Sequence, residues 1–238
     1  MNYKINMRQG TLIVFEGVEG CGKTTQLERS RQWMSESGWL DKLQKDAIVT
    51  REPGGTAVGK DIRQLLLTPS QEPIQDRTEL LLYAADRAQH VDGFLRPYLA
   101  AGAIILCDRY TDSTVAYQGF GRGLDRVLID QLNQVATGGL KSDLTIWLDL
   151  PVEEGLARMQ RRGKRDRIEQ ADLAFHQRVQ QGFAHLAATD PDRFVRIDAL
   201  GSEAEVAARI AAVLDAALEQ WFAPQFKPRC QPESALPR

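Results

Sequence analysis

The chain has 238 residues, 43% of them hydrophobic and 26% charged, the composition of an ordinary folded protein with room for one sizeable core or two small ones. Lysine plus arginine total 30 against 32 aspartate plus glutamate, and a net charge of −2 exerts no global pull on nucleic acid or a membrane surface. No apolar run approaches the ~18 residues of a membrane span, and the N-terminus lacks the apolar core of a signal peptide. Cys21, Cys107 and Cys230 have neither C-x-x-C nor metal-ligand spacing, so a reduced, cytoplasmic chain is the expectation.

In chain order, the first predicted element is a strand over 11–16, a short apolar run rich in β-branched residues. It leads into Gly17-Val-Glu-Gly-Cys-Gly-Lys-Thr24, which fits G-x-x-x-x-G-K-[ST] in full, and then into a stretch that can open a helix. Strand, glycine loop and helix build a phosphate site: glycines let backbone N–H groups converge on anionic oxygens, and the helix N-terminus adds its dipole. The candidate ATP contacts are therefore Gly17, Val18, Glu19, Gly20, Cys21, Gly22, Lys23, Thr24 and Thr25. Lys23 is placed to reach the β- and γ-phosphates, and the Thr24 hydroxyl to ligate Mg²⁺.

Further β-rich runs follow at 47–50, 103–107, 144–150 and 194–197. Helical periodicity covers 23–36, 58–67, 76–89, 93–101, 124–136, 152–160, 172–188 and 203–222. Such alternation predicts an α/β fold, a three-layer sandwich with a five-stranded parallel sheet between helices. No repeat or linker divides the chain, so 1–223 is expected to be a single domain and the proline-rich 224–238 a mobile tail.

Ligands of an open parallel sheet lie outside the carboxyl ends of its strands. The third strand ends at Asp108, where a carboxylate can hold Mg²⁺ or simply cap the strand exit; Arg109 beside it can clamp a phosphate bidentately. Arg158, Arg161, Arg162, Lys164, Arg165 and Arg167 crowd one segment around Gly163, either a solvated basic face or a lid at about 158–170 that brings cations to a transferring phosphoryl group. Tyr83 lies one helical turn before Arg87, a spacing that suits base stacking beside a guanidinium but equally a core aromatic. His90, His176 and His185 have no carboxylate or cysteine partners at catalytic or metal spacing and are expected to be surface or satisfied helix residues. Gly119-Phe-Gly-Arg-Gly123 does not follow a strand and is expected to be a loop.

Several segments in this order resemble those of bacterial thymidylate kinases, nucleoside monophosphate kinases of the P-loop NTPase fold. They are Phe15-Glu-Gly-Val-Glu-Gly-Cys-Gly-Lys-Thr-Thr-Gln26, Thr50-Arg-Glu-Pro-Gly-Gly-Thr56, Ala84-Ala-Asp-Arg87, Asp108-Arg-Tyr-Thr-Asp-Ser-Thr-Val-Ala-Tyr-Gln-Gly119 and Arg161-Arg-Gly-Lys-Arg-Asp-Arg-Ile-Glu-Gln170. The resemblance implies a homodimer that transfers the ATP γ-phosphate to thymidine monophosphate (dTMP), with Mg²⁺ held by Thr24, Asp108 and Glu19. It implies that Glu19 sits by the sugar 3′-hydroxyl and the acceptor phosphate, Tyr83 stacks on thymine and Arg87 binds the base edge. Arg51 and Arg109 would bind the acceptor phosphate, and Pro53, Ser113, Thr114, Tyr117 and Gln118 would line the base and sugar, Tyr117 standing where a ribose 2′-hydroxyl would clash. Tyr83 departs from the phenylalanine of some members. Some members carry a catalytic arginine in the phosphate loop, others a glycine there and the arginine in the lid. Gly20 and the arginine cluster resemble the second kind, which points to Arg162, supported by Arg158 and Arg161.

Two other readings stay open on the residues. A GTPase switch needs N-K-x-D and a D-x-x-G after the second strand, and the sequence has neither. A kinase of the same fold with another small acceptor is the closer rival, since one methyl separates thymine from uracil.

Overall fold

The computed structural model describes residues 10–163 and 166–222, apart from the side chain of Arg162. The stretch 224–238, expected to be a tail, lies outside the described residues.

β1 (Thr11–Glu16) is buried along its whole length, as its unbroken apolar character requires of a central strand. It pairs in parallel with β3 (Ile104–Asp108) on one side and β4 (Leu144–Asp149) on the other. β2 (Ala47–Arg51) and β5 (Phe194–Asp198) complete a parallel sheet of order β2-β3-β1-β4-β5. The chain steps outward from β1 to β2, returns through β3, then crosses to β4. The first strand therefore stands at the topological switch point, where such sheets open a crevice.

Alternate residues of β1 feed opposite faces of the sheet. Ile13 and Phe15 join Leu106, Ile146 and Leu148 in one core, whereas Leu12 and Val14 join Ile105, Cys107 and Tyr110 in another. α10 (Glu203–Phe222) covers the first core with a stripe of Val206, Ile210, Leu214, Leu218 and Phe222, spaced at four residues along one face.

The helices that carry site residues include α1 (Lys23–Glu36), α3 (Ala57–Leu67), α4 (Asp76–His90) and α8 (Val152–Arg162), and α9 (Leu173–Thr189) packs against α8. A short α2 (Trp39–Leu43) follows α1, where no helix was expected. α3 opens on Thr56, whose Oγ1 accepts the Gly59 N–H at 3.0 Å. α9 opens on Asp172, which caps the Phe175 N–H at 2.7 Å. α7 (Arg126–Thr137) lies beside α4, and α3 lies on α4's other flank.

Two sequence expectations need correction. The helix expected over 93–101 is not separate: α4 runs through a π-helical turn (Val91–Leu95) into α5 (Arg96–Ala100). Pro97 has no N–H and its ring would clash with the carbonyl four residues back in a straight α-helix, so the wider turn lets the rod continue. The loop expected at 119–123 is also partly helical. α6 (Thr111–Thr114) passes into a second π-helical stretch (Val115–Gly121), packed on α9 through Gly182, where a side chain would strike Phe120. Among the histidines, His185 is exposed and His90 is a satisfied helix residue, as expected, though its partner Glu52 stands 38 positions away where spacing did not reveal it; His176 is buried with its Nε2 unpartnered among the described residues.

Candidate active site

A cavity of about 750 Å³ opens at the carboxyl edge of the sheet. Glu19, Gly20, Gly22, Lys23, Thr24 and Thr25 line it from the phosphate loop and the first turn of α1. Val18 and Cys21 face the core, and with Gly17 they shape the loop from behind. Burial pushes the Cys21 thiol up, which keeps it protonated and unreactive. Lys23 is buried, and its Nζ donates to the carbonyls of Gly17 (3.0 Å) and Val18 (3.1 Å). Gly20 has φ 73°, and a side chain there would collide with the Gly155 carbonyl; one on Gly155 would collide with the Glu19 carbonyl. The loop thus lies backbone to backbone on the first turn of α8.

Asp108 closes β3 level with Phe15 and Arg51. Its Oδ2 lies 3.4 Å from the Thr24 hydroxyl, and its Oδ1 is buried without a partner among the described residues. Next to it, Arg109 takes φ 70°, costly for a side chain of this size. The turn is pinned by Glu16, a residue the sequence did not single out. Glu16 accepts the Tyr110 N–H (2.9 Å), the Ser113 N–H (3.1 Å) and the Ser113 hydroxyl (2.6 Å). Burial pushes the Glu16 carboxyl up to about 7, against the pull of Arg109.

So turned, the Arg109 guanidinium donates to Gly17 O and Ser113 Oγ, each at 3.1 Å, to Glu19 Oε1 at 2.6 Å and to the Tyr117 hydroxyl at 2.9 Å. Burial drives the Glu19 carboxyl up, but Arg109 and Lys23 outweigh it and hold the group at about 2. Glu19 is therefore a carboxylate whose Oε1 is engaged by Arg109 and Tyr117, while Asp108 Oδ1 is buried without a partner among the described residues.

The far wall carries Arg51, Pro53, Tyr83, Arg87, Ser113, Thr114, Tyr117 and Gln118, so the residues implied for the acceptor converge on the same cavity. Tyr83 is half-buried and faces the space; its phenol is pushed up by burial. Arg87 is 2% exposed and donates from Nε to Glu52 Oε2 (2.8 Å), from Nη1 to Thr114 Oγ1 (2.9 Å) and Asn133 Oδ1 (2.8 Å), and from Nη2 to Tyr110 O (2.9 Å). Arg63 of α3, not foreseen, also lines the wall and donates to Pro53 O at 2.9 Å.

The basic segment divides. Arg158 is half-buried and lines the cavity, whereas Arg161 is exposed and is not among the lining residues described. Arg162 closes α8, but its side chain, with Lys164 and Arg165, lies outside the described residues. Arg167 serves another purpose: its Nε donates to Leu66 O at 2.7 Å and its Nη2 pairs with buried Glu79, which also accepts Gln118 Nε2 at 2.8 Å. It anchors the returning limb to α3 and α4 and leaves Asp166, Ile168 and Glu169, unmarked in the sequence, on the cavity wall.

Comparison with known proteins agrees with this geometry. Residues 15–210 match the family described as thymidylate kinase. A thymidylate kinase of Cyanothece sp. is 61% identical over 227 residues, covering 90% of this chain and 97% of the relative. That of Trichormus variabilis is 56% identical over 217 residues, covering 90% and 99%. The crystal structure of thymidylate kinase from Ehrlichia chaffeensis superposes with a TM-score of 0.69 at 32% identity, over 87% of this chain and 99% of that one. A phosphate loop at the switch point, matched with its acceptor wall across nearly the whole chain, shows that this chain belongs to the thymidylate kinase family.

Proposed function

We propose that this chain transfers the γ-phosphoryl group of ATP to dTMP, giving dTDP and ADP. The observation that carries the reading is the convergence, in one cavity, of the phosphate loop with a base-sized wall of Tyr83, Arg87 and Tyr117. The acceptor is a phosphate monoester, largely a dianion at neutral pH, so its oxygen attacks the γ-phosphorus with no proton to remove. What the protein must supply is alignment and positive charge. Lys23 swings from the loop carbonyls to the β- and γ-phosphates, Arg109 and Arg51 hold the acceptor phosphate, and Arg162 of the lid meets the charge that builds during transfer, with Arg158 and Arg161 in support. Tyr83 stacks on the base, Arg87 reads its edge, and Glu19 and Tyr117 border the sugar.

The unpartnered Asp108 Oδ1 beside Thr24 supports Mg²⁺ as the cofactor, held by these two residues. When bound, the ion supplies charge neutralisation across the phosphoryl oxygens. Glu19, implied as a third ligand, is committed to Arg109 and fits the acceptor side better. The kinase unit is 1–223 with a lid at 158–170.

A homodimer is supported by the unpartnered apolar side chains on neighbouring α3, α4 and α7: Leu65 (61% exposed), Leu81, Val127 (64%) and Val135 (80%). No helix among the described residues is long and apolar enough to cross a membrane. The free thiols Cys21 and Cys107 support a reducing, cytoplasmic setting.

A coupled assay with ATP and the monophosphates of thymidine, deoxyuridine, uridine and cytidine tests the reading. Turnover is expected to be fastest with dTMP. Equal rates would reject the thymine pocket, and nucleotide binding without turnover would reject the kinase.

A further inference from the structure

A guanidinium has five N–H donors. In Arg87 four are committed, to Glu52, Thr114, Asn133 and the Tyr110 carbonyl, which leaves one hydrogen on Nη2 for a ligand in the cavity that Arg87 lines. An arginine held on four sides cannot re-aim that donor. Its direction depends on the partners, and the one charged partner is Glu52, itself buried.

Glu52 is in turn fixed by a residue that never reaches the cavity. His90 is fully buried, its Nδ1 lies 2.9 Å from Glu52 Oε1, and its Nε2 lies 2.8 Å from Thr50 Oγ1. A carboxylate can only accept, so Nδ1 carries the proton, and Nε2 pairs with the Thr50 hydroxyl on the other side of the ring. A side chain at Gly55 would collide with the same imidazole, which shows how closely the loop after β2 closes over it. Thr50, His90, Glu52 and Arg87 form one chain of hydrogen bonds from the sheet to the acceptor wall. Each carboxylate oxygen of Glu52 serves one neighbour, so loss of His90 frees the carboxylate to rotate, and Arg87 with it.

We propose that His90 is a positioning residue for recognition of the acceptor base: acting through Glu52, it aims the last Arg87 donor at the 4-position of the pyrimidine. A donor so fixed donates to the 4-oxygen of thymine and opposes the 4-amino group of cytosine. This rests on the reading that Arg87 meets the base edge.

The test compares kcat/KM for dTMP and dCMP in the full chain and its variants. His90→Leu is expected to raise the dTMP KM and to lower the dTMP to dCMP preference, each about tenfold, with the ATP KM unchanged. His90→Asn, whose amide nitrogen can stand in for Nδ1–H, should restore most of the preference, whereas His90→Gln, which mimics Nε2, should not. Should His90→Leu fail to fold, Thr50→Val removes only the hydroxyl that holds the far side of the imidazole and should lower the preference about threefold. Arg87→Gln is measured alongside. If Arg87→Gln abolishes the preference while the His90 and Thr50 variants leave it within twofold of wild type, the positioning role alone is overturned. If Arg87→Gln itself leaves the preference intact, base reading by Arg87 fails and the positioning role falls with it.

Discussion

Arg109 and Glu19 meet at 2.6 Å across the mouth of the cavity, and the Tyr117 hydroxyl donates to the same Glu19 oxygen at 2.9 Å. Glu19 is thus the counter-charge of an arginine held in a costly backbone turn. Glu19→Gln leaves that guanidinium short of a negative partner, a loss of ~1 to 3 kcal/mol for a largely buried pair. A phosphate dianion replaces the missing charge. The variant is therefore expected to melt below wild type and to gain more from saturating dTMP. Differential scanning fluorimetry reads both, and an equal dTMP-induced shift in the two proteins would sink the idea.

The lid arginines separate by kinetics. Arg162→Ala is expected to lower kcat by roughly 10³ with the ATP KM nearly unchanged, because the guanidinium acts on charge that exists only during transfer. Arg161→Ala, at an exposed position, should cost far less. An unchanged kcat in Arg162→Ala would move the role to Arg158, which lines the cavity.

Asp86 gives a pH signature. Its Oδ1 accepts the Gly54 N–H at 3.0 Å, while Oδ2 is buried without a partner among the described residues. Burial, then nearby Glu52, push its carboxyl up to about 6 from 3.8. A raised carboxyl favours folding while protonated, so its contribution is complete below pH 3.8 and is lost as the pH rises through 6. Asp86→Asn keeps the acceptor and removes the buried charge. It should melt above wild type at pH 8, with a ceiling of about 3 kcal/mol at ~1.4 kcal/mol per unit, and the advantage should vanish near pH 4. A pH-independent difference would contradict this account.

The apolar face of α3, α4 and α7 predicts assembly. Leu81→Asp combined with Val135→Asp puts two charges where a partner's surface would exclude water. Sedimentation velocity should find a dimer in wild type and a monomer in the double variant at micromolar concentration. A wild-type monomer at that concentration would refute the proposed assembly.

Much of this was legible in the residues. β1, α1 and α10 fall at their expected bounds, because a glycine loop follows the first strand and the four-residue apolar stripe of α10 has no rival reading. The cavity's far wall was reached by resemblance, since Tyr117 lies on a segment apart from Tyr83 and Arg87 of α4 and only the fold brings them together. What sequence could not show was the layer behind the wall. Glu16 holds the Arg109 turn, Glu79 ties Gln118 to Arg167, and His90 meets Glu52 over a separation of 38 positions. These contacts follow from strand order and chain crossings, and for Gln118 also from the π-helical stretch that carries it. A π-turn rotates every side chain after it, and no 3.6-residue pattern announces it.

The meeting of Gly20 with Gly155 has a consequence for descent. An arginine cannot be grafted at position 20 in one step, because the backbone there is left-handed and α8 occupies the space. Moving α8 aside to admit it would also move Arg158, which that helix holds on the cavity wall. An arginine at position 20 therefore requires a compensating change in α8, so a lineage that acquired one had to alter two elements together.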